Sequence, residues 1–416
     1  MMKKPILIFW IPIWVLLALT SCDKDDDNQA TPPAATISTP AELTAALTEV
    51  YDASNAPGFA VSIVTNGSIS YQQAFGKANL ENNKPYTNQT IQPIGSISKT
   101  FVAAAVVKAI DQGHFTLETD INDILPVAIS NPKQANAVIR VKHLVTHTSG
   151  LIDHPAAYFL AYHILPGENL STAGSQLLQD IFGMQQREGL PLDDFLAAYY
   201  LEDGELFGLE NFASITPGAA WNYSNIATAL TAFVVESATD IPFKEYVRMH
   251  ILEPLGMDHT AYDLASLNSN DVARLYWDED TPLPSYANDF YPDGSIHTNS
   301  EDLTKFLLDM MKGAKGQSNT LFSKEGYDLL FDALLPNGVT PATVGDNQGI
   351  FWVLKDGKIM HNGSDPGTTC DLQFQKTGDS GYILLTNMDA TIGEHLSNWT
   401  NLSTKVDAAV SEFIQA

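Results

Sequence analysis

The chain has 416 residues, with 22 lysines and arginines against 49 aspartates and glutamates, for a formal charge of −27. A nucleic-acid-binding surface needs clustered cations that displace counterions from phosphate, so that class of function is excluded. With 44% hydrophobic and 17% charged residues, the body of the chain has the apolar material for a packed core and is not a disordered acidic tail.

Lys3 and Lys4 precede an apolar stretch, residues 6–19, which closes on Leu19-Thr20-Ser21-Cys22. A basic start, an apolar run short of the roughly 20 residues of a bilayer span, and small residues at its end read as an export signal. The ending resembles the lipobox of bacterial lipoproteins. That resemblance makes residues 1–21 a signal peptide and Cys22 the lipid anchor. Asp23, Lys24, Asp25, Asp26 and Asp27, followed by a Pro-, Ala- and Thr-rich stretch, then make residues 22–41 a hydrated tether. The expected location is the bacterial cell envelope, periplasmic face or cell surface, with the membrane touched through the anchor only. Cys370 is the other cysteine, so no internal disulfide is expected, and it reads as a small buried hydrophobe.

Residues 42–416 read as one α+β domain. A helical stretch, 42–53, comes first. Residues 61–65 and 68–71 alternate on either side of Asn66-Gly67, a pair that accepts positive φ at both positions, which predicts a β-hairpin. Residues 369–375 and 382–387 flank a turn and predict a second hairpin. The pattern between them is mostly helical. An antiparallel sheet built from both chain ends, flanked by helices and with a helical subdomain inserted over roughly 115–285, accounts for this order.

Three short motifs carry the chemistry. Ser96-Ile97-Ser98-Lys99 opens an all-apolar run, 101–107, which predicts a buried helix with the serine in its first turn. Residues three apart share a helical face, so the Ser96 hydroxyl and the Lys99 amine can meet. Burial is expected to lower the Lys99 pKa and let it deprotonate the serine. Ser130-Asn131-Pro132-Lys133 has the same spacing, but its proline and polar surroundings predict a loop. Tyr223-Ser224-Asn225 offers a phenol to shuttle a proton and an amide to bind lysine and a substrate carbonyl; Ser224 or Asn225 as a plain helix cap is the structural alternative. In His361-Asn362-Gly363-Ser364, glycine allows close backbone approach, and the Ser364 N–H can pair with that of Ser96 as an oxyanion hole.

These residues, in this order, resemble the serine β-lactamase and D-Ala-D-Ala carboxypeptidase superfamily, in its class C-like branch with Tyr-x-Asn as second element. Further matches lie at His143-Leu-Val-Thr-His-Thr-Ser-Gly-Leu151, Pro254-Leu-Gly-Met257 and Asp293-Gly294 through Glu301-Asp302-Leu303. The resemblance implies that Ser96 is the acylated nucleophile, Lys99 its base, Tyr223 the proton shuttle and Asn225 a positioning group, with His361, Gly363 and Ser364 on the substrate-binding strand. The best-known pattern has lysine where this chain has His361. A literal Lys376-Thr377-Gly378 also occurs, but it falls in the turn of the last hairpin rather than on a strand beside the nucleophile.

His143 and His147 are four apart, yet no H-E-x-x-H pattern surrounds them, so a structural role is expected, with no metal and no cofactor. Residues 152–216 hold ten acidic residues against one basic residue, Arg187, and are expected either to rim the cleft or to form a solvated insertion. The expected function is an acyl-enzyme hydrolase acting on a small-molecule or peptide amide or ester, as a carboxypeptidase, peptidase or esterase ahead of an efficient β-lactamase. A slow-acylating penicillin sensor and a non-catalytic binding lipoprotein are the competing expectations.

Overall fold

A computed structural model describes residues 37–416 except 319, 342, 343, 377 and 378. The signal peptide, Cys22, most of the tether, and Thr377 and Gly378 lie outside the described residues.

Helix α1, Pro40–Asp52, starts where Thr39 and Glu42 form a capping box and proline occupies the first turn, where its missing N–H costs nothing. Eight strands follow: β1 Gly58–Thr65, β2 Ser68–Asn79, β3 Lys84–Pro85, β4 Asn347–Gln348, β5 Val353–Lys355, β6 Lys358–Asp365, β7 Thr368–Gln375 and β8 Ser380–Thr386, of which β1–β2 and β7–β8 are the predicted hairpins. They form an antiparallel sheet in the order β3-β2-β1-β8-β7-β6-β5-β4, so the two chain ends meet where β1 pairs with β8. The β1–β2 turn has φ of 53° at Asn66 and 72° at Gly67, as an Asn-Gly hairpin requires.

The sheet is covered on both faces. Successive strand residues point to opposite sides, and Phe59, Val61 and Ile63 of β1 pack with Leu43 and Leu47 of α1 and with Trp399, Leu402 and Val406 of the C-terminal helix. Three more helices matter here: α2 Lys99–Asp111, α3 Asn225–Thr239 and α4 Ser300–Ala314, with α5 spanning Gly393–Gln415. Helix α4 lies against the other face, where the Gln72 amide donates to Ser62 Oγ of β1 and to Thr304 Oγ1 of α4. Helices α2 and α3 are buried on all sides from Lys99 to Val107 and from Ile226 to Val235, and their apolar residues form the centre of the larger core.

The helical middle also carries a three-stranded sheet of Tyr162–Ile164, Gln185–Gln186 and Tyr286–Asn288. Strands of two or three residues are too short to show alternation, so the sequence pattern does not contain them. Among the described residues, no single helix is long and apolar enough to cross a membrane.

Asp371 of β7 lies opposite Leu384, towards α5, and burial, with the nearby Asp407 carboxylate, pushes its pKa up to about 7. A carboxyl that binds its proton more tightly folded than unfolded stabilises the fold at low pH, and this contribution is lost as pH rises from about 4 to about 7. Asp371→Asn is therefore expected to raise the melting temperature by a few degrees at pH 8, with the gain vanishing towards pH 4, as calorimetry across that range will report.

Candidate active site

Ser96 lies in a tight 3₁₀ turn, Gly95–Ser98, that leads into α2. The serine thus stands just ahead of the α-helix rather than in its first turn. Side chains three apart eclipse in 3₁₀ geometry, and Lys99 Nζ donates to Ser96 Oγ at 3.1 Å. The second Ser-x-x-Lys falls in a loop with a short 3₁₀ turn, where Lys133 reaches the Phe212 carbonyl at 2.8 Å, away from this turn.

Lys99 is fully buried. Its ammonium also donates to the Asp293 backbone carbonyl at 3.1 Å and to Asp293 Oδ2 at 3.2 Å, while Tyr223 hydrogen-bonds both Lys99 and Ser96. The expected fall in the Lys99 pKa does not occur. Burial lowers it, but Tyr223 and the Asp293 carboxylate outweigh that effect and hold it above the usual lysine value. Asp293, pushed up by burial and pulled back by Lys99, settles at about 6, so the resting pair at neutral pH is ammonium and carboxylate.

Tyr223 is held in place by the start of α3. Ser224 caps that helix, accepting from Ala227 N at 3.0 Å. Asp153 then receives Ser224 Oγ at 2.7 Å, Asn225 N at 2.7 Å and Ile226 N at 3.0 Å. The helix cap and the tyrosine's position in the site are one arrangement, since the phenol projects from the residue before the cap. The Asn225 amide does not reach Lys99 as expected. It donates to Tyr158 Oη at 3.3 Å, which meets Tyr162 Oη at 3.1 Å, which in turn donates to Asp365 Oδ1 at 2.9 Å. This chain of polar groups links the second motif to the end of β6.

Strand β6 passes hard against the turn that carries Ser96. A Cβ on Gly363 would sit 1.9 Å from the Ile94 carbonyl oxygen, and one on Gly95, whose φ is +50°, would sit 2.7 Å from Ser364 N. The Ser364 amide therefore lies beside the Ser96 turn. His361 is buried on this strand with Nδ1 bound to the Asn362 carbonyl at 2.7 Å, and burial, helped by the Lys99 charge, pushes its pKa down to about 3. It is a neutral imidazole at physiological pH. Lys376 of the literal Lys-Thr-Gly lies elsewhere, donating to the Phe331 carbonyl at 3.0 Å.

His147 and His143 do not act as a pair. His147, at φ +55°, accepts from Ser224 N at 3.3 Å and packs its ring 4.5 Å from that of Tyr223, whereas His143 accepts from Arg140 N at 3.0 Å. Among the described residues, no group of three histidines, cysteines or carboxylates is placed to hold a metal. The three motifs do not mark Asp153, Tyr158, Tyr162, Asp293 or Asp365, which the structure brings to the site. The first three come from residues 152–216, so that segment does build the site, although its acidic residues other than Asp153 lie at or near the surface. Asp293 stands in a segment already matched to the superfamily, but nothing in its spacing links it to a lysine 194 residues away.

The sequence matches the family described as Beta-lactamase over residues 43–404. The chain belongs to the beta-lactamase family. It is 25% identical over 323 residues to penicillin-binding protein 4* of Bacillus subtilis, covering 72% of this chain and 61% of that protein. It is 32% identical over 203 residues to esterase EstB of Burkholderia gladioli, covering 48% of this chain and 45% of the esterase. The chain thus spans less than two thirds of the length of both of these relatives. The fold is similar to that of the octameric penicillin-binding protein homologue from Pyrococcus abyssi, with a TM-score of 0.66 and 22% identity, covering 86% of this chain and 76% of that one. The β-lactamase/transpeptidase-like fold expected from the motif order is therefore the fold observed.

Gly363→Ala is expected to cost stability, because the new methyl meets a backbone carbonyl that has no rotamer to escape into. A loss of about 1–3 kcal/mol or more in urea unfolding is the predicted outcome.

Proposed function

We propose that this protein is a serine hydrolase that cleaves amide or ester bonds through an acyl-enzyme on Ser96, held in a bacterial cell envelope by a lipid on Cys22. The observation that carries the reading is the contact of the buried Lys99 Nζ with the half-buried Ser96 Oγ at 3.1 Å, with Tyr223 bonded to both. Ser96 Oγ attacks the substrate carbonyl, and its proton leaves through Lys99. Tyr223 returns a proton to the leaving group, then activates the water that releases the acyl group. The Ser96 and Ser364 N–H groups hold the oxyanion. Asn225 acts as a positioning group through Tyr158. The relatives named as an esterase and as a penicillin-binding protein support acyl chemistry of this kind.

The substrate preference follows from charge. His361 is neutral where the best-known pattern has lysine, and Lys99 is buried and already paired with Asp293. A substrate carboxylate therefore gains no ammonium from the third motif, which puts neutral esters, amides and peptides ahead of penicillins. The test incubates wild type and Ser96→Ala with a fluorophosphonate probe, p-nitrophenyl esters and a fluorescent penicillin. Labelling and ester turnover are expected in wild type alone, with esters processed faster than the penicillin. Equal labelling of both proteins would overturn the assignment, and a penicillin adduct that never clears would favour a sensor.

The envelope location rests on residues 1–27, with the basic start, apolar run and cysteine described above. In a bacterial host, Cys22→Ala is expected to move the protein from the membrane fraction to the soluble fraction and to abolish incorporation of an alkynyl fatty acid. Unchanged fractionation and labelling would refute the anchor.

A further inference from the structure

Two buried aspartates face the machinery around Ser96, and they are supplied with hydrogen-bond donors very differently. Asp153 receives three, from Ser224 Oγ and the amides of Asn225 and Ile226, so its oxygens are committed to holding the start of α3. Asp293 receives Lys99 on Oδ2, while its buried Oδ1 has no hydrogen-bond partner. A carboxylate stripped of water and short of donors is poorly stabilised as an anion and is correspondingly basic. It touches the one group that must lose a proton before it can accept one. As an ammonium bonded to Ser96 Oγ and twice to Asp293, Lys99 has no lone pair to offer the serine.

We infer that Asp293 is the positioning residue that holds Lys99 against Ser96 and takes up the Lys99 proton while Ser96 is deprotonated. The inference rests on the acyl-enzyme reading above. As Ser96 Oγ forms its bond to the substrate carbon, the serine proton moves to Lys99 Nζ and one Nζ proton moves to Asp293 Oδ2. The carbonyl π pair becomes the oxyanion. When the tetrahedral species collapses, the leaving group departs with its bonding pair and takes the Tyr223 proton. The phenolate is then reprotonated from Asp293 through Lys99, which restores the ion pair. No proton or electron is left over.

The other groups around Asp293 set the pH at which this works. Lys99 favours its ionised form, while Asp153 opposes it by like charge; burial, with the Asp293 charge, in turn pushes Asp365 up to about 7, so Asp365 is mostly neutral where Asp293 titrates. The phenols of Tyr158, Tyr162, Tyr223 and Tyr262 also lie close enough to sense its charge, and burial holds all four above the usual tyrosine range, so they stay neutral as it titrates. Acylation should therefore rise with pH through a limb near the Asp293 value of about 6.

The test measures p-nitrophenyl ester turnover and fluorophosphonate labelling by the purified full chain from pH 4.5 to 8. Wild type is expected to show the acid limb. Asp293→Asn should lose that limb and lower kcat on the order of a hundredfold, with KM within about threefold. Asp293→Glu should keep part of the rate, and Asp293→Ala should be partly rescued by added formate, which a merely structural role would not allow. A flat wild-type profile between pH 5 and 7 would overturn the inference without recourse to any variant. So would a folded Asp293→Asn with the wild-type rate and limb, or a folded Asp293→Ala that formate leaves inactive. The two failures are separable: if wild type and Ser96→Ala behave alike, the hydrolase reading falls, whereas Ser96-dependent turnover that ignores Asp293 sinks only this proposal.

Discussion

A fully buried ammonium at the first turn of a helix is the constraint around which this site is organised. Lys99 has left water, and it faces the positive end of the α2 dipole, so both burial and the helix oppose its charge. Its neighbours compensate: the Asp293 carboxylate and carbonyl, the Ser96 hydroxyl and the Tyr223 phenol. Each of those partners is in turn held by structure that has little to do with chemistry. Tyr223 depends on the Asp153 cap of α3, and Asp293 depends on the turn that follows the small second sheet.

The architecture explains how so polar a cluster sits beside so apolar a core. The large sheet is closed by pairing β1 with β8, and this brings the late strand β6 against a turn formed by residues 95–98. Glycine at 363 allows a contact that no other residue would permit. The helical middle supplies the opposite wall through Tyr223, Tyr158 and Tyr162. Three regions far apart in sequence therefore converge on one hydroxyl, and the chain Asn225–Tyr158–Tyr162–Asp365 ties two of those regions together.

The charge of −27 has little to do with this centre. In residues 152–216 the acidic groups other than Asp153 lie at or near the surface, and surface charges act weakly beyond roughly 8 Å at physiological salt. The charge of the centre itself is set by a neutral His361 and a lysine already paired with an aspartate.

Much of the fold was legible because its signals are local. Asn66-Gly67 between alternating residues specified a hairpin, the continuous apolar run after Lys99 specified a buried helix, and three-residue spacing put Ser96 and Lys99 on one side. The two- and three-residue strands of the second sheet were not legible, since they are too short to show a period. The protonation state of Lys99 was expected wrongly, because burial can be read from an apolar run while the offsetting carboxylate cannot. By itself, the sequence determined that Ser96 and Lys99 stand together and the order of the elements that present the three motifs. Only the tertiary structure decided that Asp293 meets Lys99, that Asn225 turns to Tyr158 and that His361 is neutral, because each depends on long-range packing that sets distance, burial and the number of hydrogen-bond donors.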